Sequence, residues 1–579
     1  MGVEPRVVRV VVHEGGLGKP FDYLVPDHLA ERVQVGTMVR VDLSGRRLAG
    51  WVVEDSVVPV PGIALRPLAG VRGTGPDAEN IELAKWAAWR WAGRWSHFLV
   101  TASPERAVRN LPPPAIHPRH RDAERASGSL LPQAAQALAG GPSVLRLPPA
   151  VDSFAVLEDA VRRAPALVVC PSLSVASAVA RRLQRAAVPV ALMPDQWGDA
   201  AAGGRVVVGA RSAAFAPVPE LAAVVVLDAH DEAHRSEASP TWSSVSVAEE
   251  RARRAGVPCA LVSACPTVEM LAGRRLVTLA RADERAGWAV LDVVDRRGAD
   301  PREGLWSPRL VEVVRQSERV VCVLNRKGRA RLLVCRSCRE ITRCERCGAA
   351  SAEEPGGLTC TRCGLSRPRV CQVDGSSALA AIRVGVTRAA EELAKLAGRP
   401  VGEVTGVTTD LPASDVLIGT EAVLHRVRRA DAICFVELDQ ELLAPRVGAA
   451  EQALALLARA ARLVGARSGG GRVLVQTRLP QHPAVLAALH GDPARLGEEE
   501  RRVREALAFP PFAAMARVSG QSAERYVTAL ASQPGIDVGE PSDARWLVRA
   551  STRATLCDAL AATPRPPGRL RIEVDPPRL

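Results

Sequence analysis

Cys335-Arg336-Ser337-Cys338, Cys344-Glu345-Arg346-Cys347, Cys360-Thr361-Arg362-Cys363 and then a lone Cys371 form the stretch around which the rest of the chain is organised. Two thiolates separated by two residues sit on one tight turn and hold a tetrahedral metal from one side, and a second such turn completes the site. Five residues separate the first two pairs, twelve the second and third, and seven the third pair from Cys371, so two interleaved four-ligand sites fit. Cys344, Cys347, Cys360 and Cys363 make a complete inner site, with Gly348 and Gly364 placed where each turn needs a residue without Cβ. The outer site joins Cys335, Cys338 and Cys371 to Asp374, which stands where an eighth cysteine belongs; a carboxylate binds zinc but matches a thiolate site less well. The expectation is a structural module over residues 333–376 holding two zinc ions. A disulfide cluster is the alternative, and nothing marks the chain as secreted.

The chain has 579 residues, enough for several domains. Its start, Met1-Gly-Val-Glu-Pro-Arg6, carries no cleavage or myristoylation pattern, and no apolar run approaches the length of a membrane span, so cytoplasm is the expected location and no membrane the expected partner. The formal charge is +13, and the lysines are only Lys19, Lys85, Lys327 and Lys395. Arginine forks onto phosphate and stacks on bases, which favours a nucleic-acid partner, although an arginine-rich proteome gives the same skew.

Residues 6–12 and 38–53 read as strands of a small β-rich unit, and Gly18-Lys19-Pro20 is a turn rather than a phosphate loop because Pro20 removes both a hydroxyl and a backbone donor. Trp86, Trp89, Trp91 and Trp95 recur at helical spacing among Arg90 and Arg94; packing is expected, with base stacking as the alternative. Residues 113–140 lose periodicity and read as a linker. Apolar runs then alternate with helical patterns: Ser143–Leu147, Ala166–Cys170, Pro189–Met193, Arg205–Gly209, Ala222–Leu227, Cys259–Ser263, Arg319–Leu324, Val416–Gly419, Ile433–Glu437 and Arg472–Gln476. Such runs imply parallel sheets covered on both faces. They are too many for one sheet. The expected architecture is α/β and multidomain: a β-rich unit over 1–112, α/β lobes over 141–300 and 301–485 with the cysteine module inserted in the second, and a small α+β unit over 486–579.

In this order, Phe21-Asp22-Tyr23, Val208-Gly209-Ala210-Arg211-Ser212-Ala213-Ala214-Phe215-Ala216-Pro217, Leu324-Asn325-Arg326-Lys327-Gly328, the cysteine pairs, Phe509-Pro510-Pro511-Phe512 and Arg571-Ile-Glu-Val-Asp575-Pro576 resemble the PriA family of replication-restart helicases. The resemblance implies an N-terminal domain that holds the 3′ end of a nascent DNA strand at Phe21, Asp22 and Tyr23, two RecA-like helicase lobes, a two-zinc insert and a C-terminal DNA-binding domain. It also implies partners: forked and single-stranded DNA, and the primosome proteins that reload the replicative helicase. The family's winged helix has no room between the N-terminal domain and the first lobe.

Three departures fall on ATP chemistry, which needs glycine-rich backbone donors, a lysine and a magnesium ligand. Pro148-Pro149-Ala150-Val151-Asp152-Ser153 stands where the phosphate loop belongs, Leu227-Asp228-Ala229-His230 replaces Asp-Glu-Glu-His, and Leu463-Val464-Gly465-Ala466 replaces Gly-Arg-Ala-Gly-Arg, with Arg462 and Arg467 nearby. The expectation is a restart protein with no ATPase or helicase activity, against the alternative of an ATP-dependent 3′–5′ helicase with an atypical nucleotide site. A third alternative, a metalloenzyme at His230-Asp231-Glu232-Ala233-His234, lacks the glutamate that should follow the first histidine, so these are expected to be surface histidines on a loop.

Overall fold

Short runs of Val, Leu, Ile and Ala, apolar in every residue, cannot present a wet face, so each becomes an inner strand of a sheet with helices on both sides. In the computed structural model seven strands, with the most apolar runs inside, form one parallel sheet in the spatial order Arg275–Thr278, Pro142–Arg146, Cys259–Ser263, Ala223–Val226, Ala166–Val169, Val206–Gly209 and Val190–Leu192. Six form a second: Val290–Asp295, Arg472–Thr477, Ala432–Phe435, Val320–Val323, Val416–Gly419 and Val401–Val404. These are the two parallel α/β lobes. The structure describes all residues except 1–5, 15–18, 60, 61, 63, 117–131, 164, 300–303, 325–332, 355, 361, 362, 382–385, 406, 407, 409, 543 and 577–579. Asn325-Arg326-Lys327-Gly328 and most of the linker therefore lie outside the described residues; the described end of the linker contains a helix, Pro132–Ala137.

Along each strand of the first sheet alternate residues enter different cores. Leu145, Val168 and Val225 pack under helices Phe154–Val161 and Leu173–Arg185. The second of these helices starts where the Ser172 hydroxyl accepts the Val175 N–H (3.3 Å), and it buries Ala176, Ala180 and Leu183, one stripe at helical spacing. On the opposite face, Val144, Leu167, Val224 and Val226 join Trp91, Phe98, Phe215 and Trp242. That face is covered by helices Ala78–Arg90, Trp95–Ala102 and Ser244–Ala255, and its core continues into the C-terminal sheet. The tryptophans pack, as their spacing implies: Trp91 is buried with Trp86 edge-on at 5.5 Å, Trp89 Nε1 donates to Asp558 (2.8 Å) and Trp95 Nε1 to the Ile81 carbonyl (3.2 Å).

At the N-terminus an antiparallel sheet runs Phe21–Leu24, Val7–Val12, Arg46–Asp55, Thr37–Leu43, Gly70–Thr74. At the other end Ile536–Val538, Arg545–Ala550, Ala514–Ser519 and Arg571–Val574 form a four-stranded antiparallel sheet carrying helices Ala523–Leu530 and Arg553–Ala562. Two boundaries differ from the sequence expectation. Val290–Asp295 lies before residue 300 yet is the edge strand of the second sheet, because its half-exposed Val-Leu-Asp-Val-Val-Asp pattern is that of an edge rather than of a buried run. Helices Pro483–His490 and Ala494–Ala506 lie after 485 but bury Val485 and Leu496 in the second lobe's core, so the C-terminal unit proper begins near Ala514.

The C-terminal unit is fastened to both the N-terminal helices and the first lobe. Arg90 and Asp575, each less than a tenth exposed, form an ion pair; the Cys557 thiol donates to the Arg90 carbonyl (3.3 Å), and Ser239 and Thr241 hydroxyls donate to the carbonyls of Ile572 (2.8 Å) and Val574 (2.9 Å). Burial alone would raise the Asp575 carboxyl; the charges of Arg90, Arg553 and Arg235 bring it below its ordinary value. Removing one partner strands a buried charge, so Asp575→Ala is expected to cost about 3–5 kcal/mol, read as a lower first unfolding transition in calorimetry, with Arg90→Met/Asp575→Leu milder than either single change. A depressed carboxyl stabilises above its unfolded value, so the contribution is complete above pH ~4 and lost as pH falls below it.

Candidate metal centres and the cleft between the lobes

The cysteine-rich insert leaves the second lobe after Val320–Val323 and returns to it before helix Val386–Ala397. Val334, Ile341 and Ala350 enter the lobe's core, and the Ala350 N–H donates to the Leu443 carbonyl (2.8 Å). Four knuckles repeat one geometry. In each, the residue after the second ligand donates its N–H to the carbonyl of the first: Arg339 to Cys335 (3.0 Å), Gly348 to Cys344 (2.9 Å), Gly364 to Cys360 (2.8 Å) and Gly375 to Cys371 (3.0 Å). Closing that turn takes a left-handed residue, and all four have φ between +66° and +76°. Gly375 follows Asp374, so Cys371-Gln372-Val373-Asp374 is a full knuckle with a carboxylate as its second donor.

Within each set the donor atoms lie no more than 4.8 Å apart: Cys344, Cys347, Cys360, Cys363 in one, and Cys335, Cys338, Cys371, Asp374 in the other. In a tetrahedral zinc site, Zn–S bonds of ~2.3 Å place sulfurs ~3.8 Å apart, and a carboxylate oxygen bound at ~2.0 Å lies ~3.5 Å from a sulfur. Cys344–Cys363 and Cys347–Cys360 are 3.5 Å apart, as are Cys338–Cys371 and Cys335 Sγ–Asp374 Oδ. Both donor sets fit zinc. The Ser376 N–H, 3.0 Å from Asp374, is the main cause holding that carboxyl down at about 2, which keeps it ionised as a ligand must be. Asp374 is exposed, whereas Cys344 and Cys360 of the inner set are buried.

The cleft between the lobes opens at the ends of the first sheet's strands. After Pro142–Arg146 the chain turns through Pro148 and Pro149, which have no N–H; Ala150 donates to the Gly287 carbonyl (3.0 Å), Val151 to Pro148 (3.0 Å) and Phe154 to the Asp152 carboxylate (3.0 Å). Asp152 pairs with Arg182, whose guanidinium lies 3.8 Å over the Phe154 ring. After Ala223–Val226 comes Leu227, buried in the lobe's core, and then Asp228 in the left-handed region (φ +47°), which aspartate tolerates. Arg462, from helix Ala449–Val464 of the second lobe, donates both terminal nitrogens to Asp228 (2.6 Å each) and its Nε to the Pro149 carbonyl (3.3 Å). Burial would raise the Asp228 carboxyl; the charge and hydrogen bonds of Arg462 bring it far below the ordinary carboxylate range. Arg467 donates instead to the Ala289 carbonyl (3.5 Å).

His230 and His234 are not surface histidines. His234 is buried with Nδ1 2.8 Å from the Ser244 hydroxyl and Nε2 2.9 Å from the Leu227 carbonyl, and His230 Nδ1 lies 2.9 Å from the Ser263 hydroxyl. The stretch forms a loop and a single 3-10 turn, so both rings fold back against strand ends; burial lowers the pKa of each.

Phe21, Asp22 and Tyr23 lie on the edge strand of the N-terminal sheet. Side chains alternate there, so Tyr23 is in the core, with Phe21 packed against that core, while Asp22 turns to the other face. Directly across, Arg9 donates its Nε (2.9 Å) and Nη2 (3.3 Å) to Asp22 and its Nη1 to Glu54 (2.7 Å). No helix of the described residues is long and apolar enough to cross a membrane.

Residues 9–104 match the family model for the 3′DNA-binding domain of PriA. The chain is 32% identical to the replication restart protein PriA of Treponema pallidum, over 55% of this chain and 52% of that protein. It is 26% identical to the Bacillus subtilis protein of the same name, over 54% and 43%. These matches thus span about half the length of those relatives. A longer match, 29% identical over 87% of this chain and 86% of the relative, is to the probable replication restart protein PriA of Mycobacterium leprae. With a matching N-terminal domain and similarity that extends through most of the chain, this protein is similar to the PriA replication restart proteins.

Proposed function

We propose that the chain recognises stalled or abandoned replication forks, holds the 3′ end of the nascent strand at its N-terminal domain, and promotes assembly of the primosome that reloads the replicative helicase, without ATP-driven unwinding of its own. The single observation that carries the second half is the loop at Pro148–Ser153. Phosphate cradles are built from free backbone N–H groups and a lysine. Here two donors are deleted, those of Ala150, Val151 and Phe154 are engaged, and a carboxylate occupies the turn. The Leu227 side chain offers no oxygen to magnesium, and its carbonyl lies 2.9 Å from His234 Nε2. Support for DNA binding comes from the matched domain at residues 9–104 and the arginine-based excess of positive charge.

Hydrolysis is expected to be absent. Phosphate release measured with forked DNA should stay at the buffer blank; stimulated release that is abolished by Asp228→Ala would overturn this and revive the alternative of an ATP-dependent 3′–5′ helicase with an atypical site.

Two zinc ions are expected per chain, held with unequal strength. The inner site has four thiolates, two of them buried, whereas the outer has three and an exposed carboxylate. Native mass spectrometry with graded chelator should show one zinc leaving before the other, and Asp374→Ala should change only the labile one. A chain that carries no zinc would refute the assignment.

At the 3′ end, Asp22 is the proposed reader: a carboxylate accepts a hydrogen bond from a free 3′-hydroxyl and repels a 3′-phosphate. Arg9 fixes its orientation, and a carboxylate with ~four acceptor positions keeps some for a ligand. Asp22→Ala should weaken binding to forks with a recessed 3′-hydroxyl by ~1–3 kcal/mol while leaving blunt-duplex binding and its salt dependence nearly unchanged. Unaltered preference for hydroxyl over phosphate in fluorescence anisotropy would remove Asp22 from this role.

A further inference from the structure

One face of helix Ala449–Val464 reaches across the cleft along its whole length. Glu451 accepts the Val268 N–H (2.7 Å), Gln452 donates to Glu232, Arg459 meets Asp231 at 3.5 Å, and Arg462 grips Asp228 and the Pro149 carbonyl. At about 100° per residue these four positions fall within roughly one quarter of the helix circumference. Each of these partners belongs to the first lobe, while Glu451 also accepts from Arg504 and Arg459 Nε also donates to the Leu424 carbonyl (3.0 Å) within the second. Arg462 makes the most specific of these contacts, a two-pronged fork on a carboxylate. Its side chain is 44% exposed and that of Asp228 14%, so the pair sits at the mouth of the cleft. Behind it remains a cavity of about 130 Å³, lined by Asp228, Asp231, His425, Arg459 and Arg462, well under the ~300–1,000 Å³ of ordinary ligand pockets.

We propose that this helix face is a permanent latch in which Arg462 serves as the internal cation of the cleft, so that the two lobes keep one closed relation with no nucleotide between them. In a two-lobe machine driven by a nucleotide, the ligand supplies the differential contacts that close the lobes. Here the second lobe itself supplies positive charge to the first lobe's acid, and a nucleotide has no differential contact left to make. The lobes then act as a fixed scaffold between the N-terminal sheet and the cysteine module. The latch rests on the reading of the cleft as a place where no nucleotide is hydrolysed, and the experiment separates the two.

Hydrogen exchange by mass spectrometry is measured on the full chain, with and without magnesium and ATP or ADP. In the wild type, exchange at 228–234 and 449–464 should be slow and indifferent to nucleotide. Arg462→Met, which keeps the stem but not the fork, should speed exchange in both segments about tenfold, the factor equivalent to ~1.4 kcal/mol, and raise the radius of gyration in solution scattering. Arg462→Asp/Asp228→Arg should restore part of the protection. Unchanged exchange and scattering in Arg462→Met, or wild-type lobes that close further on adding nucleotide, would overturn the latch. ATP hydrolysis by the wild type would instead defeat the reading of the cleft, whatever the exchange shows.

Discussion

A parallel sheet has no face that tolerates water, and the first lobe meets that constraint with pieces from distant parts of the chain. One face is covered locally by helices Phe154–Val161 and Leu173–Arg185. The other is covered by helices that belong in sequence to the N-terminal unit, and their core continues into the C-terminal sheet. The two ends of the chain are therefore joined on one surface, and the buried Arg90–Asp575 pair lies in the seam. A buried ion pair adds little net stability but penalises any arrangement that separates its members, which makes it a device for register. The pair thereby fixes the N-terminal helices relative to the C-terminal sheet.

The sheets were legible because their strands are short and apolar throughout. All ten expected runs are strands, within two residues at each end. The three that were missed, Arg275–Thr278, Val290–Asp295 and Val401–Val404, are the edges of the two sheets or lie at them, and their half-exposed residues give no continuous apolar run. Val190–Leu192, also an edge, was legible because its residues are all apolar.

The cysteine spacing specified both donor sets, including the carboxylate, because a knuckle is a local turn whose rules operate within five residues. The partner of Arg462 could not be read in the same way. Asp228 is 234 residues earlier, and only the packing of one lobe on the other joins them. His234 was misplaced on the surface for a related reason: its burial depends on Ser244 and the Leu227 carbonyl, a contact made by chain folding back rather than by any periodicity. Phe21-Asp22-Tyr23 looked like one cluster in sequence, yet strand alternation sends Asp22 away from its two neighbours, to the face it shares with Arg9 and Glu54.

The arginines of the cleft also explain how the acids there persist. Asp228 faces a confined space where burial alone would raise its carboxyl, and the charge of Arg462 lowers it instead. Guanidinium groups tethered to the other lobe supply the compensating charge. Asp228 therefore has a structural partner of its own in Arg462. Without the carboxylate, Arg462 would lose the fork that fixes it and keep only the Pro149 carbonyl, leaving Glu451, Gln452 and Arg459 as the helix's other contacts across the cleft.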